Sequence, residues 1–200
     1  MKYLSLFSGV GGFELGIQQA YESISKSERK QPGRNKENQP LHGKQLVAPQ
    51  CIGFSEIDKY ASQIYQSHFS NHKAYGDITK INEKELPDFE LLVGGFPCQS
   101  FSIAGKRGGF NDTRGTLFFE IARIIREKQP RLLLLENVKG LLSHDKGKTF
   151  TTIISTLDEL GYDCQWQVLN SKNHGVPQNR ERVFIIGNRR GTERPDVFPL

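Results

Sequence analysis

RLLLLENVKG, residues 131–140, decides the fold. Leu132 to Leu135 is an unbroken apolar run, too short for an ordinary helix and without the polar alternation of a half-exposed strand. Such a run fits a strand buried on both faces, as in a parallel sheet covered by helices. It ends in Glu136 and Asn137, so two polar side chains stand where the strand leaves the core. Just upstream, Leu117, Phe118, Ile121, Ile124 and Ile125 share one helical face, and Pro130 closes that helix.

The same alternation extends in both directions. Tyr3 to Phe7 reads as a strand running into glycines, Gly12 to Tyr21 as a helix and Cys51 to Ser55 as a second strand. Tyr60, Ile64 and Phe69 mark the next helix, and Leu91 to Val93 a buried strand that stops at Gly94 and Gly95. Thr149 to Leu160 predicts a helix ended by Gly161, followed by strands at Gln165–Leu169 and Val183–Ile186. The pattern predicts an α/β, Rossmann-like, mostly parallel open sheet with helices on both faces, binding ligands beyond the carboxyl ends of its strands.

At 200 residues and 22.7 kDa, with 36% hydrophobic residues, the chain suits one domain spanning 1–200. No stretch reaches the roughly 20 apolar residues of a membrane span, and the opening MKYLSLFSGV lacks a secretory signal's length and cleavage pattern. The expectation is a cytoplasmic protein with no membrane partner. Three separated cysteines, Cys51, Cys98 and Cys164, signal neither a disulfide framework nor a metal site. The net charge is +5, but between Ser23 and Gln50 six basic residues face Glu28 and Glu37, so that polar, proline-bearing stretch alone supplies +4. It reads as a flexible insertion at 23–50, with a DNA-contacting arm as the competing reading, and bulk charge does not establish a DNA groove.

The loops after the strands carry the chemistry. LFSGVGGFELG brings Gly9, Gly11 and Gly12 to a helix start, where backbone can approach a polar ligand closely. Glu14 stands where a dinucleotide fingerprint has its third glycine, which disfavours a nicotinamide-dependent oxidoreductase. Glu56 ends the second strand. With 23–50 excised it falls about 16 residues after Gly12, near the roughly 20 of a ribose-binding carboxylate. Asp77 either caps the following turn or accepts from an adenine amino group, and spacing leaves both open.

Cys98 lies in GGFPCQSFSIAGKRGGF, residues 94–110, where Pro97 stiffens the turn after a buried strand and a long glycine-rich loop follows. Cys51 and Cys164 fall in or beside strands and read as inert packing, whereas a thiol at a strand-end loop is open to activation by positive charge. Glu136 at a neighbouring strand end suits an acid of raised pKa that donates to a ring nitrogen, or an ordinary strand-end carboxylate. Arg180 and Arg182 alternate onto one face of a strand entrance, either as a solvated edge or aimed at the pocket.

FSGVGGFELG, FSEID, GDI, GGFPCQSFS, GTLFFEIARI, ENVKGL and QNRERVFIIG occur in this order from the first residues to about 187. The set resembles the cytosine-specific DNA methyltransferases that modify carbon 5. The resemblance implies that Cys98 adds to carbon 6 of a cytosine flipped out of double-stranded DNA. It also implies that Glu136 bonds the ring nitrogen next to the amino group, and that Arg182, with Arg180, steadies the site. Phe7, Gly9, Gly11, Gly12, Glu56, Ile57, Asp77, Ile78 and Leu117 match positions that hold S-adenosylmethionine. Pro97, Gln99 and Ser102 match positions that approach the DNA.

Family members often have an aromatic where Ile57 stands, and they continue past the segment matching QNRERVFIIG into a target-recognition domain and a final helix. The sequence given ends at RPDVFPL, so the expectation is the catalytic part of a longer or split enzyme, completed by a second chain in the latter case. The alternative is a module that binds DNA or S-adenosylmethionine without turnover.

Overall fold

The computed structural model describes residues 1–29, 47–97, 117–193 and 197. Cys98, Gln99, Ser102 and most of the 23–50 stretch lie outside the described residues. Six strands form one sheet: β1 (Lys2–Leu6), β2 (Gln50–Ser55), β3 (Leu91–Gly95), β4 (Leu132–Val138), β5 (Tyr162–Asn170) and β6 (Glu181–Arg189). Their order is β2-β1-β3-β4-β6-β5. The pairs β1·β2, β1·β3 and β3·β4 are parallel, and β6 runs antiparallel to both β4 and β5.

Among the described residues the α-helices are α1 (Gly12–Arg29), α2 (Lys59–His68), α3 (Leu117–Lys128) and α4 (Lys148–Glu159). Because side chains alternate along a strand, β1 sends Leu4 and Leu6 to one face and Tyr3 to the other. Leu4 and Leu6 join the larger core with Leu92, Leu133, Leu135 and the buried faces of α3 and α4. Tyr3, Leu91 and Val93 form the smaller core, against Phe13 and Ile17 of α1. Helices therefore cover both faces, as the apolar run in β4 implies. Each fully buried aliphatic or aromatic side chain in these layers contributes about 1.5–3 kcal/mol.

Three details depart from the sequence expectations. α1 continues through Arg29, so residues 23–29 of the expected insertion are helical, and Gln50 already belongs to β2. α2 forms where expected but turns a different face inward. Tyr60 and Ile64 are exposed, while Tyr65 is fully buried and stacks on Phe54 at 3.8 Å between ring centroids. YGDITK also reads as Asp77 following a possible short strand, but among the described residues the stretch just before Asp77 makes only a single bridge, between Phe54 and Ala74.

Helix ends are locally determined. Asp58 caps α2 by accepting the Ala61 N–H at 2.7 Å. α3 stops at Gln129, which takes a left-handed conformation (φ 45°), donates its N–H to Ile125 and is followed by Pro130.

Candidate active site

The carboxyl ends of β1, β2, β3 and β4 open on one edge of the sheet, and two clusters form there. The first is the turn between β1 and α1. Phe7 (φ 53°), Gly9 (φ 54°) and Gly11 (φ 96°) all adopt left-handed conformations, and Phe7 does so as a bulky residue. Such a backbone persists only where its surroundings hold it. Here Ser8 donates its N–H to Ser55 O at 3.2 Å, and its hydroxyl reaches Ser5 O and Ser55 O. A side chain at Gly11 would force Phe69 to shift, because a Cβ would stand 2.5 Å from one of its ring carbons.

Glu56 faces this turn. One carboxylate oxygen accepts the Gly9 N–H at 2.8 Å and the other accepts the Asp58 N–H at 2.8 Å. Two backbone donors thus fix the carboxylate while lone pairs on both oxygens stay available, the arrangement suited to a diol. Ile57 beside it is 74% exposed, an apolar surface next to the pinned acid. Gly12 is the exposed first residue of α1, and the half-buried Leu117 begins α3.

Asp77 is a cap: its Oδ1 accepts the N–H of Thr79 at 3.0 Å and the Thr79 hydroxyl at 2.8 Å. These two bonds hold its carboxyl below the usual range. The Ile78 side chain is buried in the larger core, which leaves its backbone as what it can offer a ligand. Arg123 of α3 fastens this segment by donating to Ile78 O at 3.1 Å and Ile81 O at 2.9 Å while pairing with Glu83 and Glu120.

The second cluster lies between β3, β4 and β6. Glu136 pairs in register with Gly95, and a Cβ on Gly95 would come within 3.1 Å of the Glu136 carboxylate. Arg182 Nε lies 2.7 Å from Glu136 Oε1, and both side chains are about four-fifths buried. Burial pushes the Glu136 carboxyl above its ordinary range, against the pull of the Arg182 and Arg180 charges. Arg180 is exposed but its backbone is pinned, with its N–H on Asn170 Oδ1 at 3.2 Å and its carbonyl accepting from Ser171 at 3.1 Å.

Pro97 is exposed at the end of β3, and the buried Asn137 supports the chain leading to it by donating to Phe96 O at 2.8 Å. The cysteines read as packing behave so. Neither Cys51 nor Cys164 is in a disulfide, both are half-buried, and burial pushes the Cys51 thiol up to about 11. Asn137, noted in the sequence only as a polar strand end, and Tyr65, not noted there, are the functional residues that the pattern leaves without a role. A buried amide directly after a strand-end acid was the available signal for Asn137, whereas nothing local marks Tyr65.

No helix among the described residues is long and apolar enough to cross a membrane. Among solved structures the fold resembles that of the S. pombe Dnmt2 methyltransferase, with TM-score 0.68 and 17% identity over 98% of this chain and 52% of that one. The type II methyltransferase M1.ScrFI of Lactococcus lactis subsp. cremoris is 48% identical over 186 residues, 93% of this chain and 41% of the relative. The type II methyltransferase M.HhaI of Haemophilus parahaemolyticus is 41% identical over 186 residues, 93% of this chain and 48% of the relative. The chain thus spans less than half the length of these curated relatives. With the family model for C-5 cytosine-specific DNA methylases matching residues 1–198, the chain belongs to that family.

Proposed function

We propose that this chain carries the catalytic part of an enzyme that methylates carbon 5 of cytosine in DNA, with S-adenosylmethionine as methyl donor. The observation that carries the reading is the largely buried Glu136 carboxyl of raised pKa, paired with Arg182 over Gly95, on the strand next to the one that leads into Pro97 and Cys98.

The residues of the first cluster fit the cofactor. The Glu56 carboxylate, pinned by Gly9 and Asp58, suits ribose hydroxyls, and the exposed Ile57 suits a face of the adenine. Bound there, S-adenosylmethionine supplies a methyl group for nucleophilic attack by carbon.

In the reaction the Cys98 thiolate forms a bond to carbon 6 of a flipped-out cytosine, and the electron pair of the 5,6 double bond moves toward carbon 5. Glu136 in its protonated form donates to the ring nitrogen next to the amino group and stabilises the charge that develops there. Arg182 holds the Glu136 carboxyl in place, and the charges of Arg182 and Arg180 add positive potential. Carbon 5 then bonds the methyl group as the bond between that methyl and the donor sulfur breaks, the sulfur keeping the electron pair. Loss of the carbon 5 proton to a base restores the double bond and expels the Cys98 thiolate.

The test is trapping on duplex DNA containing 5-fluorocytosine, whose fluorine blocks the last step. The assay uses this chain alone and with the remaining portion of a relative such as M1.ScrFI supplied in trans. A covalent protein–DNA adduct that needs S-adenosylmethionine and disappears in Cys98→Ser is expected. An adduct that survives Cys98→Ser, or cofactor binding without transfer in both settings, rules the reading out.

A further inference from the structure

We propose that the buried Glu14 and Tyr65, with the half-buried His72, form a positioning triad that holds the glycine turn at the height the cofactor requires. The inference rests on the cofactor site just described and adds residues that do not touch the ligand. Glu14 is 1% exposed in the first turn of α1, and Tyr65 of α2 is fully buried. The Tyr65 hydroxyl donates to Glu14 Oε1 at 2.9 Å and stands 2.9 Å from His72 Nδ1. A hydroxyl has one proton. Since that proton goes to the carboxylate, the Tyr65 oxygen accepts, and His72 presents its Nδ1–H.

The triad connects both sides of the cofactor site. On one side, Glu14 is two residues into the helix that the glycine turn opens, and Phe69, stacked on His72 at 5.2 Å, closes against Gly11. On the other, Tyr65 stacks on Phe54, two residues before Glu56. Where a dinucleotide fingerprint uses its third glycine to bring helix and strand together, this chain has a carboxylate that ties the helix to α2. The hydrogen bond from Gly9 to Glu56 spans the two sides, so its 2.8 Å length depends on the tie. Glu14 Oε2 has no partner among the described residues, so an amide in place of the carboxylate keeps the one bond that matters.

The test uses calorimetry with S-adenosylmethionine and amide hydrogen exchange at Gly9, on the full chain. Tyr65→Phe deletes one oxygen and keeps the stacked ring. Losing the tie is expected to weaken cofactor binding about tenfold in Tyr65→Phe and Glu14→Ala, the equivalent of one hydrogen bond, and to speed Gly9 exchange comparably. Glu14→Gln, which can still accept the Tyr65 proton, is expected to stay near wild type. If Glu14→Ala does not fold, Tyr65→Phe and Glu14→Gln decide the matter. Unchanged binding in Tyr65→Phe, or Glu14→Gln as damaged as Glu14→Ala, overturns the proposal. If the wild type binds no cofactor, the cofactor reading fails instead, and Gly9 exchange alone judges the triad: faster in Tyr65→Phe supports it, unchanged overturns it.

Discussion

Arg182 and Glu136 meet diagonally across β6 and β4. The register partner of Arg182 is Val138 and that of Glu136 is Phe184, yet Arg182 Nε lies 2.7 Å from Glu136 Oε1. Diagonal neighbours on one face of an antiparallel pair are within reach of long side chains. This geometry needs β6 to run against β4, because only then does the start of β6 lie at the end of β4.

The raised pKa of Glu136 has a defined consequence for stability. Burial is the larger effect, and it places the folded-state pKa above the unfolded one. The group's contribution is therefore fully present below the ordinary carboxylate pKa and is lost as pH rises through the raised folded value. Glu136→Gln has no such loss. Relative to wild type it is expected to gain stability between pH 4 and pH 7 while losing about 10²–10⁴-fold in transfer rate, the range for a general acid. Urea midpoints at the two pH values check the sign. A variant that loses ground to wild type on raising the pH contradicts the assignment.

Gly95→Ala probes the same carboxyl from β3. The added Cβ would come within 3.1 Å of the Glu136 carboxylate, so that group must move by a few tenths of an ångström. The expected outcome is near-normal folding with a fall of about tenfold or more in transfer rate, since small misplacements of a catalytic group are costly. Unchanged single-turnover rates would show that the Glu136 position is not critical.

Arg123→Met tests the segment that carries Asp77. Arg123 is the shared donor for Ile78 O and Ile81 O and the cationic partner of Glu83 and Glu120. Removing it leaves two carbonyls and two carboxylates to find water, at an expected cost of about 1–3 kcal/mol. Cofactor affinity should fall with it, because the Asp77 turn loses its anchor to α3. Equal denaturation midpoints for variant and wild type would remove Arg123 from this role.

The layered sheet was legible because its signals are local: the apolar run of β4, the one-sided α3 and the glycines after β1. The direction of β6 was also present in a weaker form. The segment between Asn170 and Glu181 has no helical period, and a connection without a crossover helix favours an antiparallel neighbour. The buried face of α2 was not legible. Tyr65 goes inward ahead of Ile64 because its hydroxyl finds Glu14, whose position in the sequence is 51 residues away. Tyr60 and Ile64, the more obvious apolar choices, stay exposed. Asp77 illustrates a different limit, since a cap and a ligand contact ask for the same residue type. Its two bonds to Thr79 identify the cap.

Gly9 and Gly11 both take left-handed conformations, but they differ in what surrounds them. A Cβ on Gly9 meets nothing within 4 Å, whereas one on Gly11 would overlap the Phe69 ring at 2.5 Å. Gly9→Ala therefore bears only the backbone cost of about 1–2 kcal/mol. Gly11→Ala carries a similar backbone cost together with overpacking of about 1–3 kcal/mol, because Phe69 is held by Tyr65 and His72 and cannot swing away freely. Thermal denaturation should rank Gly11→Ala clearly below Gly9→Ala. The reverse ranking would mean that the aromatic cluster yields easily, and would weaken the argument that it sets the height of the turn.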